Sequence, residues 1–249
     1  QDNLKRRLAF STVSQLSYIV LGLAVLHPYS LVGGLLHIPA HAFMKLTLFF
    51  CAGAIHVETH TDDISDMAGI GKRMPLTMTA FGVAALGMAG IPLLAGFVSK
   101  YFLLIGTVTT GDLLFTAALL VSGILNIAYF WPVVYAAFFE APDEADSKPV
   151  VEHVLGGRFG EEEAVADGGT EDDAHENHDD AHDDHDHHHG PGPDGWDQRD
   201  WFGGESTWLM LGPILFAATG SLVLGIAPDA AVFLRIVRLI VAGATGVTV

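Results

Sequence analysis

His37, His41 and Lys45 recur at intervals of four inside the apolar run HIPAHAFMKLTLFFCAGAIH, residues 37–56. An α-helix advances about 100° per residue, so these three side chains fall on one stripe, each about 6 Å from the next. A fourth ionisable residue, Lys100, stands in another apolar stretch just after the glycine-rich interruption GMAGIPLLAG, residues 87–96. Placing a lysine at the centre of a bilayer costs about 2.5–3.5 kcal/mol on insertion scales, and such residues mark ion pathways and proton relays. Imidazole titrates near neutral pH, so alternating His and Lys can hand protons along through intervening water. The structural alternative is a lysine satisfied by a neighbouring helix's carbonyls and a histidine that only packs. His56 and His60 fall near the end of the run, as surface groups or as one end of a path.

The elements that must position these residues are membrane helices. Half of the 249 residues are hydrophobic and the mean hydropathy is +0.39, yet the formal net charge is −17. The charge is segregated: residues 140–205 hold 22 Asp and Glu against Lys148, Arg158 and Arg199, and everything else carries a net +2. The composition describes a mildly basic apolar protein interrupted by one acidic segment. One cysteine, Cys51, rules out a disulfide within the chain.

Apolar runs predict helices over residues 8–26, 31–57 and 113–139, with another over 208–227. Hydroxyls at the start of the first are read as packing groups. Pro39 removes a backbone donor in the second and predicts a kink between the two histidines. Residues 76–110 are apolar apart from Lys100. Three glycines and Pro92 divide them into half-helices over 76–88 and 94–110, a break tolerated at membrane depth only where freed backbone groups are buried in protein or line a wet cavity. Residues 58–75 read as a polar loop with a short interfacial stretch, and Arg235 and Arg238, on one helical face, favour an interfacial helix at the C-terminus. No run alternates with period two, so the fold class is an all-α polytopic bundle in the cell membrane. The chain divides into helices with a polar axis (1–139), an acidic loop (140–205), and a terminal helix with an interfacial tail (206–249).

Nucleotide-binding and hydrolytic motifs are absent: there is no P-loop, no GxSxG and no CxxC. No cofactor and no nucleic-acid partner are expected. The tract HENHDDAHDDHDHHH, residues 175–189, offers His182, His185, His187, His188 and His189 as weak ligands for a metal such as Zn²⁺ or Ni²⁺. Its composition fits a hydrated linker better, because no fixed spacing sets a geometry. A metal-binding membrane protein using this tract is the reading from a different class.

Four stretches in order over residues 2–105, DNLKRRLAFSTVSQLSY, HIPAHAFMKLTLFFCAGAI, DDISDMAGIGKRMPLTMTAF and AGIPLLAGFVSKYFLL, resemble the proton-conducting antiporter family. That family comprises large subunits of Mrp-type cation/proton antiporters and antiporter-like subunits of respiratory complex I. The form of the last stretch resembles the D-type large subunit of the Mrp antiporters. The resemblance implies two inverted five-helix repeats, each with one broken helix, of which this chain holds the later part of the second. It implies that the two half-helices make one crossing, which puts the acidic segment in the cytoplasm. It also implies that His37, His41 and Lys45 belong to a central polar axis and that Lys100 gates the proton outlet, in contrast to members with glutamate there. The function so implied is a proton-translocating transporter subunit, not an enzyme by itself, carrying H⁺ and Na⁺ among other membrane subunits. The alternative is a proton-pumping subunit of an NADH- or ferredoxin-driven complex.

Overall fold

The computed structural model describes residues 2–140, 205–229 and 232–248; residues 141–204, including all five candidate metal histidines, lie outside them. Seven α-helices follow in order: α1 Leu4–Ala24, α2 Pro28–Thr59, α3 Pro75–Ala89, α4 Ala95–Thr109, α5 Leu113–Phe139, α6 Trp208–Ile226 and α7 Phe233–Thr245. Two 3₁₀ turns, Ile64–Met67 and Ile70–Lys72, join α2 to α3. Among the described residues there is no strand, only an isolated bridge between Asn3 and Asp63. The helices α1, α2, α5 and α6 are each long and apolar enough to cross a membrane, and the chain is a multi-pass membrane protein.

The first helix begins four residues before the apolar run because Asn3 caps it, its Oδ1 accepting the Arg6 N–H at 3.1 Å. Its buried stripe is Leu4, Leu8, Ser11, Gln15, Tyr18 and Gly22, alternating steps of four and three. Gly22 lies against Gly34 of α2, with no room for a side chain between them. The central helix, α2, starts at Pro28, whose missing N–H costs nothing in a first turn, and continues as helix through Pro39.

The two half-helices pass along α2 in strict antiparallel order. Cys51 Sγ donates to the Thr77 carbonyl at 3.3 Å, Met44 fills the space beside Gly87 and Gly96, His37 meets Ser99, and Ser30 abuts Gly106. From Ser30 to Cys51 the helix rises about 31 Å, one hydrocarbon thickness. Together α3 and α4 therefore make one broken crossing. Between them Gly90 takes φ +92° and Leu93 φ +75°, conformations that end α3 and re-aim the chain into α4.

The segment between α2 and α3 departs from the sequence expectation. Ile64, Met67 and Ile70 are buried core residues rather than an interfacial face, and Arg73 is completely buried, its Nη2 donating to the Glu58 carbonyl at 3.1 Å. Gly69, at φ +71°, turns the chain inward, and its N–H donates to the Ala136 carbonyl of α5 at 2.9 Å. On the far side of α2, Leu234, Val237 and Val241 of α7 cluster with Val32 and Leu36, while Phe233 meets Phe43 edge-on.

A Cβ at Gly96 would run into the Gly87 carbonyl. Gly96→Ala is expected to lower the thermal midpoint of the purified protein, with the cost of about 1–3 kcal/mol usual for overpacking. Gly53→Ala, where an added methyl meets nothing within 4 Å, is the control and should leave the midpoint in place.

Candidate functional site

The polar residues at the heart of the bundle come from four helices. His37 and His41, one turn apart on α2, stack with ring centroids 6.0 Å apart and planes 14° from parallel. His37 is fully buried. Its Nδ1 lies 2.8 Å from Ser99 Oγ of α4 and its Nε2 lies 3.1 Å from Gln15 Oε1 of α1. The Gln15 amide nitrogen donates to Asn126 Oδ1 of α5 at 3.2 Å, so Gln15 Oε1 is the acceptor and His37 Nε2 carries a proton. That leaves Nδ1 with two possibilities. The Ser99 hydroxyl can donate to it, in which case the ring is neutral; or Nδ1–H donates to Ser99, the ring is cationic, and the hydroxyl turns to the Gly96 carbonyl, 3.1 Å away. Both protonation states are satisfied without moving a heavy atom.

The network continues from Asn126, whose Nδ2 donates to the Tyr18 hydroxyl at 3.2 Å, which in turn donates to Ser122 Oγ at 2.6 Å. The Tyr18 ring stands between two of the predicted residues. It packs edge-on against His37, centroids 5.4 Å apart, and carries Lys100 Nζ over its face at 4.7 Å. Lys100 Nζ also donates to the Met88 carbonyl at 2.7 Å and the Ala89 carbonyl at 3.4 Å, the last turn of α3. A cation there faces the negative end of that helix's dipole. Gly90 leaves the space its side chain occupies: a Cβ at that position would sit 3.0 Å from Lys100 Cδ.

Lys45 turns away from this cluster toward α1. Its Nζ donates to the Leu8 carbonyl at 2.6 Å and to Ser11 Oγ. Between Lys45 and His37 lies His41, whose Nδ1 is buried without a hydrogen-bond partner among the described residues. A cavity of about 160 Å³ opens between α1 and α5, lined by Ser11, Ser14, Ser122, Asn126 and Tyr129 with Phe10 and Leu125 at its edge. It is half open to the outside, with Phe10 and Leu125 exposed at its mouth. It borders both the Lys45 branch, through Ser11, and the His37 branch, through Asn126.

The structure thus brings His37 and Lys100 together around Tyr18 and holds Lys45 on a separate branch with His41 between. The reading of the early α1 hydroxyls as packing groups fails for Ser11, which takes the Lys45 ammonium, while Thr12 and Ser17 bond to carbonyls of their own helix. Gln15, Tyr18, Ser99, Ser122 and Asn126 escape the sequence reading as partners. A signal for two of them was present: Gln15 and Tyr18, like Ser11, sit at the same spacing as Leu4 and Leu8, on the stripe that packs inward. Among the described residues no group of three or more His, Cys, Asp or Glu could hold a metal ion.

Comparison with known proteins places this geometry in context. A family model described as "NADH:quinone oxidoreductase/Mrp antiporter, TM" matches residues 1–126. Subunit N of the NADH-quinone oxidoreductase of Desulforudis audaxviator is 45% identical over 153 residues, 60% of this chain and 30% of the relative. A chain of the Mrp complex from a Dietzia species superposes with a TM-score of 0.70 at 24% identity, over 98% of this chain and 43% of its own length. A chain of respiratory complex I from Thermus thermophilus superposes with a TM-score of 0.65 at 20% identity, over 98% and 40%. The sequence therefore spans about a third of the curated relative, and at these identities the two solved structures bear on the fold alone.

Asn126→Leu removes one partner each from the Gln15 amide and the Tyr18 hydroxyl inside the bundle. The expected loss is about 1–3 kcal/mol of stability, the usual penalty for stranding buried polar groups, read as a lowered unfolding midpoint in detergent.

Proposed function

We propose a proton-relay role on one premise: the chain belongs to the NADH:quinone oxidoreductase/Mrp antiporter transmembrane family. It is an antiporter-like membrane subunit of the Mrp or complex I type, and within such a subunit the relay runs through Lys45, His41, His37 and Lys100. The observation that carries this reading is the double satisfaction of His37. Its ring is held by Gln15 on one side, and on the other by a Ser99 hydroxyl that can donate to it or accept from it. A histidine kept only for packing needs one such state; a relay needs both. Ser99 and Lys100 are consecutive on α4, so the group that exchanges with His37 adjoins the lysine at the break.

On the other branch, the Lys45 ammonium reaches the α1–α5 groove through Ser11, and His41, with its buried Nδ1, lies between that ammonium and His37. Protons would enter or leave by this branch and cross to Lys100 by way of the two histidines. The N-terminus of α1, the C-termini of α2 and α5 and the N-termini of α3 and α6 share one face of the bundle, with Lys5, Arg6 and Lys72 on it. The positive-inside rule makes that face cytoplasmic. Phe139 and Glu205, which flank the acidic segment, lie there too.

Other membrane subunits would be the chain's partners. Among the two driving schemes, the 45% identity to an NADH-quinone oxidoreductase subunit N favours a redox-driven complex. The likeness of AGIPLLAGFVSKYFLL to the D-type Mrp protein favours Na⁺/H⁺ exchange. Proton movement coupled to NADH or another electron donor in membranes without Na⁺ would support the first; exchange driven by a Na⁺ gradient alone would support the second.

In vesicles carrying the whole complex, Lys100→Ala and Lys45→Ala should each lower proton translocation at least about tenfold, the scale of one lost charge-assisted hydrogen bond in a buried path. A wild-type rate in either variant, at equal amounts of assembled subunit, would remove the relay.

A further inference from the structure

The relay uses one end of α3; the other end is held just as closely. Met74, which precedes the helix, supplies no side-chain cap, and Pro75 has no N–H. The next two amides find their acceptor 128 and more residues away: Leu76 N–H donates to Glu205 Oε2 at 2.8 Å and Thr77 N–H to Glu205 Oε1 at 3.0 Å, with Thr77 Oγ1 adding a third contact at 3.3 Å. Glu205 is fully buried. Its neighbour Ser206 donates to Glu58 Oε1 at 2.9 Å, tying the same segment to the end of α2. A carboxylate thus sits at the positive end of the 15-residue α3, and a lysine ammonium, that of Lys100, at its negative end. Both come from outside the helix, and each complements the dipole at its own end.

We infer that Glu205 is a positioning residue for Lys100: by fixing the first turn of α3 it fixes the Met88 and Ala89 carbonyls that hold the Lys100 amine. This inference rests on the relay reading of Lys100. Glu58 and Cys51 of α2 are the titratable groups that bear on Glu205, and Arg73 ahead of α3 holds the Glu58 carbonyl. Burial, reinforced by the Glu58 carboxylate and opposed by the amides it accepts from, pushes Glu205 up to about 7. The full negative charge at the start of α3 consequently develops as the pH rises through neutrality, on the face where the acidic segment leaves and returns.

The test uses the whole complex in vesicles. Glu205→Gln keeps the volume but loses the charge and one acceptor oxygen; Glu205→Asp keeps the charge on a shorter stem. At wild-type levels of assembled complex, Glu205→Gln should translocate protons about tenfold more slowly, within the range of a partly buried helix-end charge, and lose the change in rate across pH 7. Glu205→Asp should recover part of the rate together with its pH dependence. Lys100→Ala, assayed in parallel, separates the two ideas: wild-type rates there sink the relay itself. An inactive Lys100→Ala beside a Glu205→Gln complex with unchanged rate and pH profile overturns the positioning role alone. Failure of both Glu205 variants to assemble overturns it as well, since Glu205 would then be a folding residue.

Discussion

Inside a bilayer a backbone carbonyl without a donor costs several kcal/mol, because no water is present to take its place. The interruption between α3 and α4 creates such carbonyls at membrane depth, and Lys100 answers two of them, Met88 and Ala89. The rest of the structure follows from that exchange. Gly90 must be glycine both for its backbone angle and for the room it gives the lysine, and Gly96 lets the two halves stack against Met44. The start of α4 then puts Ser99 opposite His37. A polar interior that would be expensive as scattered groups is made tolerable by joining them: Ser99, His37, Gln15, Asn126, Tyr18 and Ser122 each satisfy a neighbour.

The two lysines solve the same burial problem differently. Lys100 is held by the end of a helix and the face of Tyr18. Lys45 is held by the Leu8 carbonyl, already shared with the hydroxyls of Ser11 and Thr12, beside the open groove between α1 and α5. That asymmetry suits a path with one open branch and one guarded one, and the histidine stack lies between them.

Much of the architecture was legible in the sequence because apolar length and glycine-proline punctuation are strong signals in a membrane protein. The break at residues 87–96 and the α5 span were read to within a residue or two, and the four ionisable residues were visible because charge is rare in such runs. The loop after α2 was not legible. Ile64, Met67 and Ile70 are too few to show a period, and burial of Arg73 depends on a carbonyl fifteen residues away. Nor was the role of Ser99, which looks like an ordinary polar residue until four helices converge. Ser11 looks like a packing hydroxyl until its spacing is set beside Leu4 and Leu8, which puts it on the inward stripe.

The central claim is that His37 exchanges protons through a hydroxyl that can face either way. The most direct measurement is proton translocation by the complex carrying Ser99→Ala, which removes that hydroxyl and leaves His37, Gln15 and Lys100 in place. The expected result is an assembled complex whose translocation falls about tenfold or more, as when one positioned proton-transfer group is lost. An assembled Ser99→Ala complex translocating at the wild-type rate would contradict it.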